Sequence, residues 1–163
     1  MLRKHNLYKR PKKPFEKARI LAEAELAKKY ALKNKQEIWK SLAIINYMKK
    51  RAMALAKLSK GEQDLFINKV RNLGFNANTT LDILDMKIED LLNRRLPTIV
   101  AKKGLANTIK HARQMVVHKR ILVNGKVVNA PSYLVLISEE NNIEIKQKQK
   151  VKKEVQKEVK NND

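Results

Sequence analysis

The groups in this chain best suited to chemistry are cations set at short, regular spacings. Arg94-Arg95, Lys102-Lys103, Lys110, Arg113, His118-Lys119-Arg120, Asn124 and Lys126 crowd one stretch. A second set, Arg10, Lys12, Lys13, Lys33, Lys35, Lys40, Lys49 and Arg51, occupies the first third. Ammonium and guanidinium groups at this density neutralise phosphates, and arginine adds bidentate contacts and stacking on exposed bases. Bond-making chemistry has little to work with. The chain has no cysteine, which removes thiolate nucleophiles, thiolate zinc sites and disulfides. Its four glycines are too few for a phosphate-cradling loop. His5, His111 and His118 have no partner at metal-ligand spacing: His5 is expected in a solvated arm, His111 exposed, and His118 either at a polyanion or structural at a helix end. Glu139-Glu140 is a carboxylate pair, expected only to be solvated in a turn after a strand. The expectation is a protein that is not an enzyme, with no cofactor, metal or small-molecule substrate.

The whole chain tells the same story. In 163 residues, 37 Lys and Arg face 16 acids, a formal charge of +21. A compact body so charged repels itself, and a polyanion relieves the repulsion while releasing counterions. Nucleic acid is the first partner to consider, an anionic membrane surface the second and an acidic protein the third. Residues 1–60 carry 18 bases and 4 acids, 61–93 carry 3 and 6, 94–145 carry 9 and 3, and 146–163 carry 7 and 3. Two basic blocks thus flank a slightly acidic middle, which suits two charged surfaces joined by a structural segment. Residues 1–6 lack the apolar core of a signal peptide, and no apolar run approaches the ~20 residues of a membrane span. A soluble, intracellular protein without a membrane partner is expected.

The elements that must position these cations can be read from periodicity. Residues 1–13 form a basic arm without apolar rhythm, which could also serve as a nuclear import signal. A helix runs from Phe15 to Tyr30. Asn34 and Glu37 suggest a capping box for a second helix, with Ile38, Leu42, Ile45, Ala52 and Leu55 as its buried stripe. A third starts near Glu62 and packs through Leu65, Phe66, Val70 and Leu73, with Gly74 as its left-handed stop. Residues 76–79 are a loop, and a further helix spans 87–93. Arg94 to Lys103 reads as a helix with Pro97 in its first turn, ended by Gly104. Thr108 caps the next, whose inner face is Ala112, Met115 and Val116. Asn124-Gly125 between apolar pairs is a hairpin signal, and 133–137 and 143–145 are two more strand candidates. The tail, 146–163, has Val151, Val155 and Val159 four apart, yet its composition favours disorder when unbound. Trp39, Tyr47 and Tyr133 are expected in the core.

Five separated pieces resemble the S-four RNA-binding domain in order and spacing: Arg94-Arg95-Leu96, Lys103-Gly104-Leu105-Ala106, Ala112-Arg113-Gln114, Ile121 to Gly125, and Pro131 to Val135. Pro14 to Arg19, Lys29 to Trp39 and Leu81 to Leu96 resemble the eukaryotic and archaeal small-subunit ribosomal protein of the S-four family. The resemblance implies an α+β architecture. A helical N-terminal domain, 14–93, precedes an S-four-type domain, 94–145, of two helices on a short, mostly antiparallel sheet. It implies RNA-contacting or site-shaping roles for Arg113, His118, Arg120 and Asn124. Two departures stand out. The family often has glycine where this chain has Lys119 and histidine where it has Arg120, so Lys119 is expected to adopt a left-handed cap at a cost of about 1 kcal/mol.

The family further implies a structural constituent of the small ribosomal subunit that stabilises a junction in the 5′ domain of its RNA. Such a protein would act early in assembly, near where messenger enters, beside neighbouring small-subunit proteins. It would be cytoplasmic, with nucleolar passage if the cell is eukaryotic. The alternative is a stand-alone S-four regulatory or ribosome-rescue factor, and residues 11–60, which small factors lack, discriminate against it.

Overall fold

The computed structural model describes residues 8–146, so His5 and the expectation for the tail from residue 147 on lie outside the described residues. Helix α1, Lys17–Lys29, leads into α2, Lys35–Leu55, the longest element. Helices α3, Lys60–Asn72, α4, Thr80–Asp85, and α5, Ile88–Asn93, complete a helical first half. The second half has α6, Leu96–Lys102, and α7, Ile109–Val117, then strands β1, Ile121–Val123, and β2, Lys126–Val127. A single turn, α8, Ile137–Glu140, precedes β3, Ile143–Ile145. The sheet has the order β2-β1-β3, all antiparallel, with Leu122 opposite Val127 on one side and Glu144 on the other. The α+β architecture of a helical part followed by a small two-helix, three-strand unit is the one the sequence indicates.

Local signals fall where the chemistry requires. The Thr108 hydroxyl accepts the His111 N–H at 3.1 Å and starts α7. Asn124 and Gly125 both have positive φ, 51° and 74°, as a type I′ hairpin demands. Lys119 sits at φ 57°, in the left-handed cap expected of it. Helix α4 goes unseen in the sequence reading, although Thr79 and Asp82 box its start: the Thr79 hydroxyl accepts the Asp82 N–H, and the Asp82 carboxylate accepts the Thr79 N–H at 2.9 Å. The backbone N–H groups of Asn78 and Thr79 hold the Asp82 carboxyl below its ordinary range.

Two apolar clusters build the core. One joins Ile45, Met48, Ala52, Ile67, Val70, Phe75, Ile83 and Leu91 from α2 to α5. The other joins Leu96, Ile99, Val100, Ala112, Val116, Ile121, Val135 and Ile143 under the sheet. Each fully buried aliphatic side chain contributes about 1.5–3 kcal/mol. Leu134 packs against the first cluster while its neighbour Val135 lies in the second, so one segment fastens both.

Several expectations change here. The stripe of α2 is Ile38, Ser41, Ile45, Met48, Ala52 and Leu55, and Leu42 is exposed. Ser41 can be buried because its hydroxyl donates to the Glu37 carbonyl at 2.9 Å. In α3, Ile67 is buried and Leu65 faces outward. Residues 133–137 form no strand of the sheet. The segment makes one antiparallel bridge, Arg95 with Leu134, and its end winds into α8. Tyr47 is 66% exposed instead of buried, whereas Trp39 is half-buried and donates its indole N–H to Glu23 at 3.0 Å. Tyr133 packs against the second cluster, and its hydroxyl donates to Glu139 at 2.8 Å. Desolvation, with that carboxylate beside it, raises the Tyr133 phenol above its ordinary range.

Candidate nucleic-acid interface

The arginines of the central motif divide into those spent inside the protein and those left to the surface. Arg113 on α7 donates from both terminal nitrogens to Glu37 on α2, at 2.7 and 3.0 Å. Arg95, before α6, donates from Nη2 to the same carboxylate at 2.8 Å. Burial alone would push the Glu37 carboxyl up, but hydrogen bonds from Arg113 and Arg95 and their charges outweigh it and lower it to about 2. The suggested capping box does not form: the Asn34 side chain makes no cap bond, and the Glu37 carboxylate is drawn to the arginines. Next door, Arg94 donates to the Leu73 carbonyl at 3.0 Å, the Val135 carbonyl at 2.9 Å and the Glu140 carboxylate at 2.9 Å. Glu140 is therefore an anchor and not an idle turn residue.

Arg94, Arg95 and Arg113, expected at a polyanion, join the two halves through internal carboxylates and carbonyls and so form a lock between them. Charge-assisted, bidentate pairing in a half-buried place is the strongest outlet they have. The lock also explains Gly74, which has φ 86°. A Cβ there would meet the Arg94 guanidinium at 2.3 Å. Sequence reasoning missed Glu37 as the receiver, although it is the one acid between Glu25 and Glu62 in a basic segment.

The remaining cations face outward. Lys102, Lys110, Lys119, Arg120 and Lys126 are exposed and form no ion pair among the described residues. Lys103 is also exposed, with its ammonium near the Glu140 carbonyl. The exposed His118 ends α7, and Arg120 follows the turn at Lys119. With His111 and Gln114 the side chains of His118 and Arg120 line a shallow recess. Asn124 accepts from the Asn142 side chain at 2.9 Å, which fixes the hairpin tip next to Lys126. In the first half, Arg10, Lys12, Lys13, Lys33, Lys35, Lys40 and Arg51 are exposed and Lys49 is half-exposed. Lys35 reaches toward Glu23 at 3.8 Å, and Lys40 lies 5.7 Å from the Tyr8 ring centre. Between the halves opens a cleft of about 510 Å³, lined by Lys33, Gln36, Lys40, Arg95, Arg113 and Ser132 among others. The arrangement can grip anions and orient them; no cluster of three or more metal-ligating side chains exists among the described residues. No described helix is long and apolar enough to cross a membrane.

The S4 domain family matches residues 94–141, which contain α6, α7, the hairpin and α8. Over 153 residues the chain is 42% identical to "Small ribosomal subunit protein uS4" of Nanoarchaeum equitans, covering 88% of this chain and 84% of that protein. The protein of the same name from Methanothermobacter thermautotrophicus is 38% identical over 155 residues, covering 91% of each. This chain belongs to the uS4 family. The Saccharolobus islandicus uS4 protein is 43% identical over 141 residues, 82% of this chain and 78% of its own length. Because the uS4 match extends far upstream of the S4 domain, it takes in the helical half that holds Glu37 as well as the arginines that grip it.

Proposed function

We propose that this uS4-family chain is a structural, non-catalytic constituent of the small ribosomal subunit that binds and stabilises a junction in the 5′ domain of its RNA. It joins early in assembly, near where messenger enters, with neighbouring small-subunit proteins as further contacts, and it works in the cytoplasm. One observation carries the reading: besides a lock in which three arginines meet two carboxylates, exposed cations of both halves, Lys40, Arg51, Lys110, Arg120 and Lys126 among them, have no acid partner among the described residues. The arginines of the lock set the spacing of the two surfaces, and the exposed lysines and Arg120 meet phosphates. Basic arm and tail, 1–13 and 146–163, add electrostatic reach.

The test is binding of the full chain to a small-subunit RNA fragment carrying the 5′-domain junction, across a salt series. Affinity should fall by about 0.7–0.9 in log–log slope for each phosphate neutralised. Arg120→Ala combined with Lys119→Ala should flatten that slope and weaken the specific complex more than two lysine changes in the tail do. Equal damage from the tail variants would move the site. Recovery of the protein away from small subunits in low-magnesium, moderate-salt gradients would favour a transient S-four factor instead.

A further inference from the structure

Tyr47 is a large aromatic side chain on the longest helix, and its ring is left to solvent at 66% exposure. Its neighbours on that face are informative. Lys40, Ile44, Tyr47 and Arg51 are spaced 0, 4, 7 and 11 along α2, so they form a single stripe about 16 Å long. The stripe adjoins the buried face of the helix and begins at the cleft between the halves, because Lys40 and Ile44 both line that cleft. Also lining it is Arg95, 5% exposed, whose Nη1 has no hydrogen-bond partner among the described residues. That atom is itself buried, so the groups offered to a phosphate at the cleft mouth are the exposed ammonium groups of Lys33 and Lys40, which line the same cleft.

We propose that this face of α2 is a track for an unpaired RNA strand, with a backbone phosphate at the cleft mouth and a base stacked on the Tyr47 ring. The inference deepens the RNA-binding reading above and rests on it. Charge decides between occupants. A neighbouring protein would also bury an exposed tyrosine. Yet Lys40 and Arg51 stand at the two ends of the stripe and Lys33 lines the cleft at its start, with no acid paired to any of them among the described residues. Aromatic rings interleaved with cations hold single strands, since every base has a π-face and each nucleotide brings a phosphate. Tyr47 stacks whichever base arrives, so the track selects for strandedness and not for sequence.

The experiment uses the full chain and the small-subunit RNA fragment that carries the junction. Tyr47→Ala should weaken binding about tenfold, in the range expected for one stacked base, while Tyr47→Phe keeps parental affinity. Lys40→Ala with Arg51→Ala should lower the salt slope by about 1.4, the equivalent of two single-strand phosphates. Ultraviolet crosslinking of the unmodified complex should attach an unpaired nucleotide to Tyr47. Parental RNA affinity for Tyr47→Ala, or crosslinks from Tyr47 only to a neighbouring protein in assembled subunits, would overturn the track while leaving RNA binding intact. If the unmodified chain ignores the fragment, the broader reading fails together with it.

Discussion

Replacing Glu37 by glutamine removes one charge and almost no volume, and it should unsettle both halves at once. Glu37 accepts three hydrogen bonds from Arg95 and Arg113, whose side chains are 6% and 18% exposed. Its carboxyl lies at about 2 in the folded protein against an ordinary 4.5. A shift of that size corresponds to about 3 kcal/mol of stability. Removing one partner of a fully buried pair costs about 3–5 kcal/mol, and this part-buried pair belongs at the lower end of that range, because the guanidiniums stay behind uncompensated. The sign follows from the depressed value. The contribution is fully present above pH 4.5 and is lost as the pH falls through about 2. Urea unfolding of parent and Glu37→Gln should therefore differ by about 3 kcal/mol at pH 7, or roughly 6–12 °C in melting temperature, and the gap should narrow between pH 4.5 and 2. A difference below about 0.5 kcal/mol at pH 7, the level of an ordinary surface change, would refute the reasoning. So would a gap that stays constant through the acid range.

Other perturbations read other parts of the molecule. Gly74→Ala places a Cβ 2.3 Å from the Arg94 guanidinium at φ 86°, whereas Gly104→Ala meets nothing at φ 72°. Chemical denaturation should show about 1 kcal/mol lost at Gly104 and clearly more at Gly74. Lys119→Gly relieves a positive-φ side chain and should raise stability by up to about 1 kcal/mol. The same change should reduce the salt slope of RNA binding by about 0.7–0.9 if Lys119 meets a phosphate. Thr108→Ala removes the hydroxyl that accepts the His111 N–H, and thermal melts should report a loss near 1 kcal/mol.

Signals confined to a few neighbouring residues were legible in the sequence. Asn124-Gly125, Thr108, Gly74 and Gly104 each obey a rule about their own φ angle or their own hydrogen bond, and each sits as expected, while the left-handed Lys119 was expected from the family resemblance alone. What escaped was non-local. Leu42 and Ser41 differ by one step around a helix, and only the position of α4 and α5 decides which is covered; Ser41 then completes its hydrogen bonding within the helix. Residues 133–137 have strand chemistry, but the partner they meet is the turn at Arg94–Leu96, too short to extend a ladder. Tyr47 looked like core because aromatic residues on apolar helices usually are, and nothing local shows that no element packs over it. The pairing of Arg113 with Glu37 escaped because no rule of spacing ties an arginine to an acid 76 positions upstream. Composition identified the charge of the surface, while the tertiary fold chose which cations compose it.

Arg94 and Arg95 are adjacent in the chain yet reach in different directions, the first to Leu73, Val135 and Glu140, the second to Glu37. One dipeptide therefore acts like the riveted joint of a caliper whose jaws are already set to a gauge. A flexible polynucleotide closing on such a tool must adjust itself to the opening, because the tool has little freedom left to surrender. Under the proposed function, the entropy of shaping the complex would then fall on the RNA, with the protein as the template against which a junction is measured.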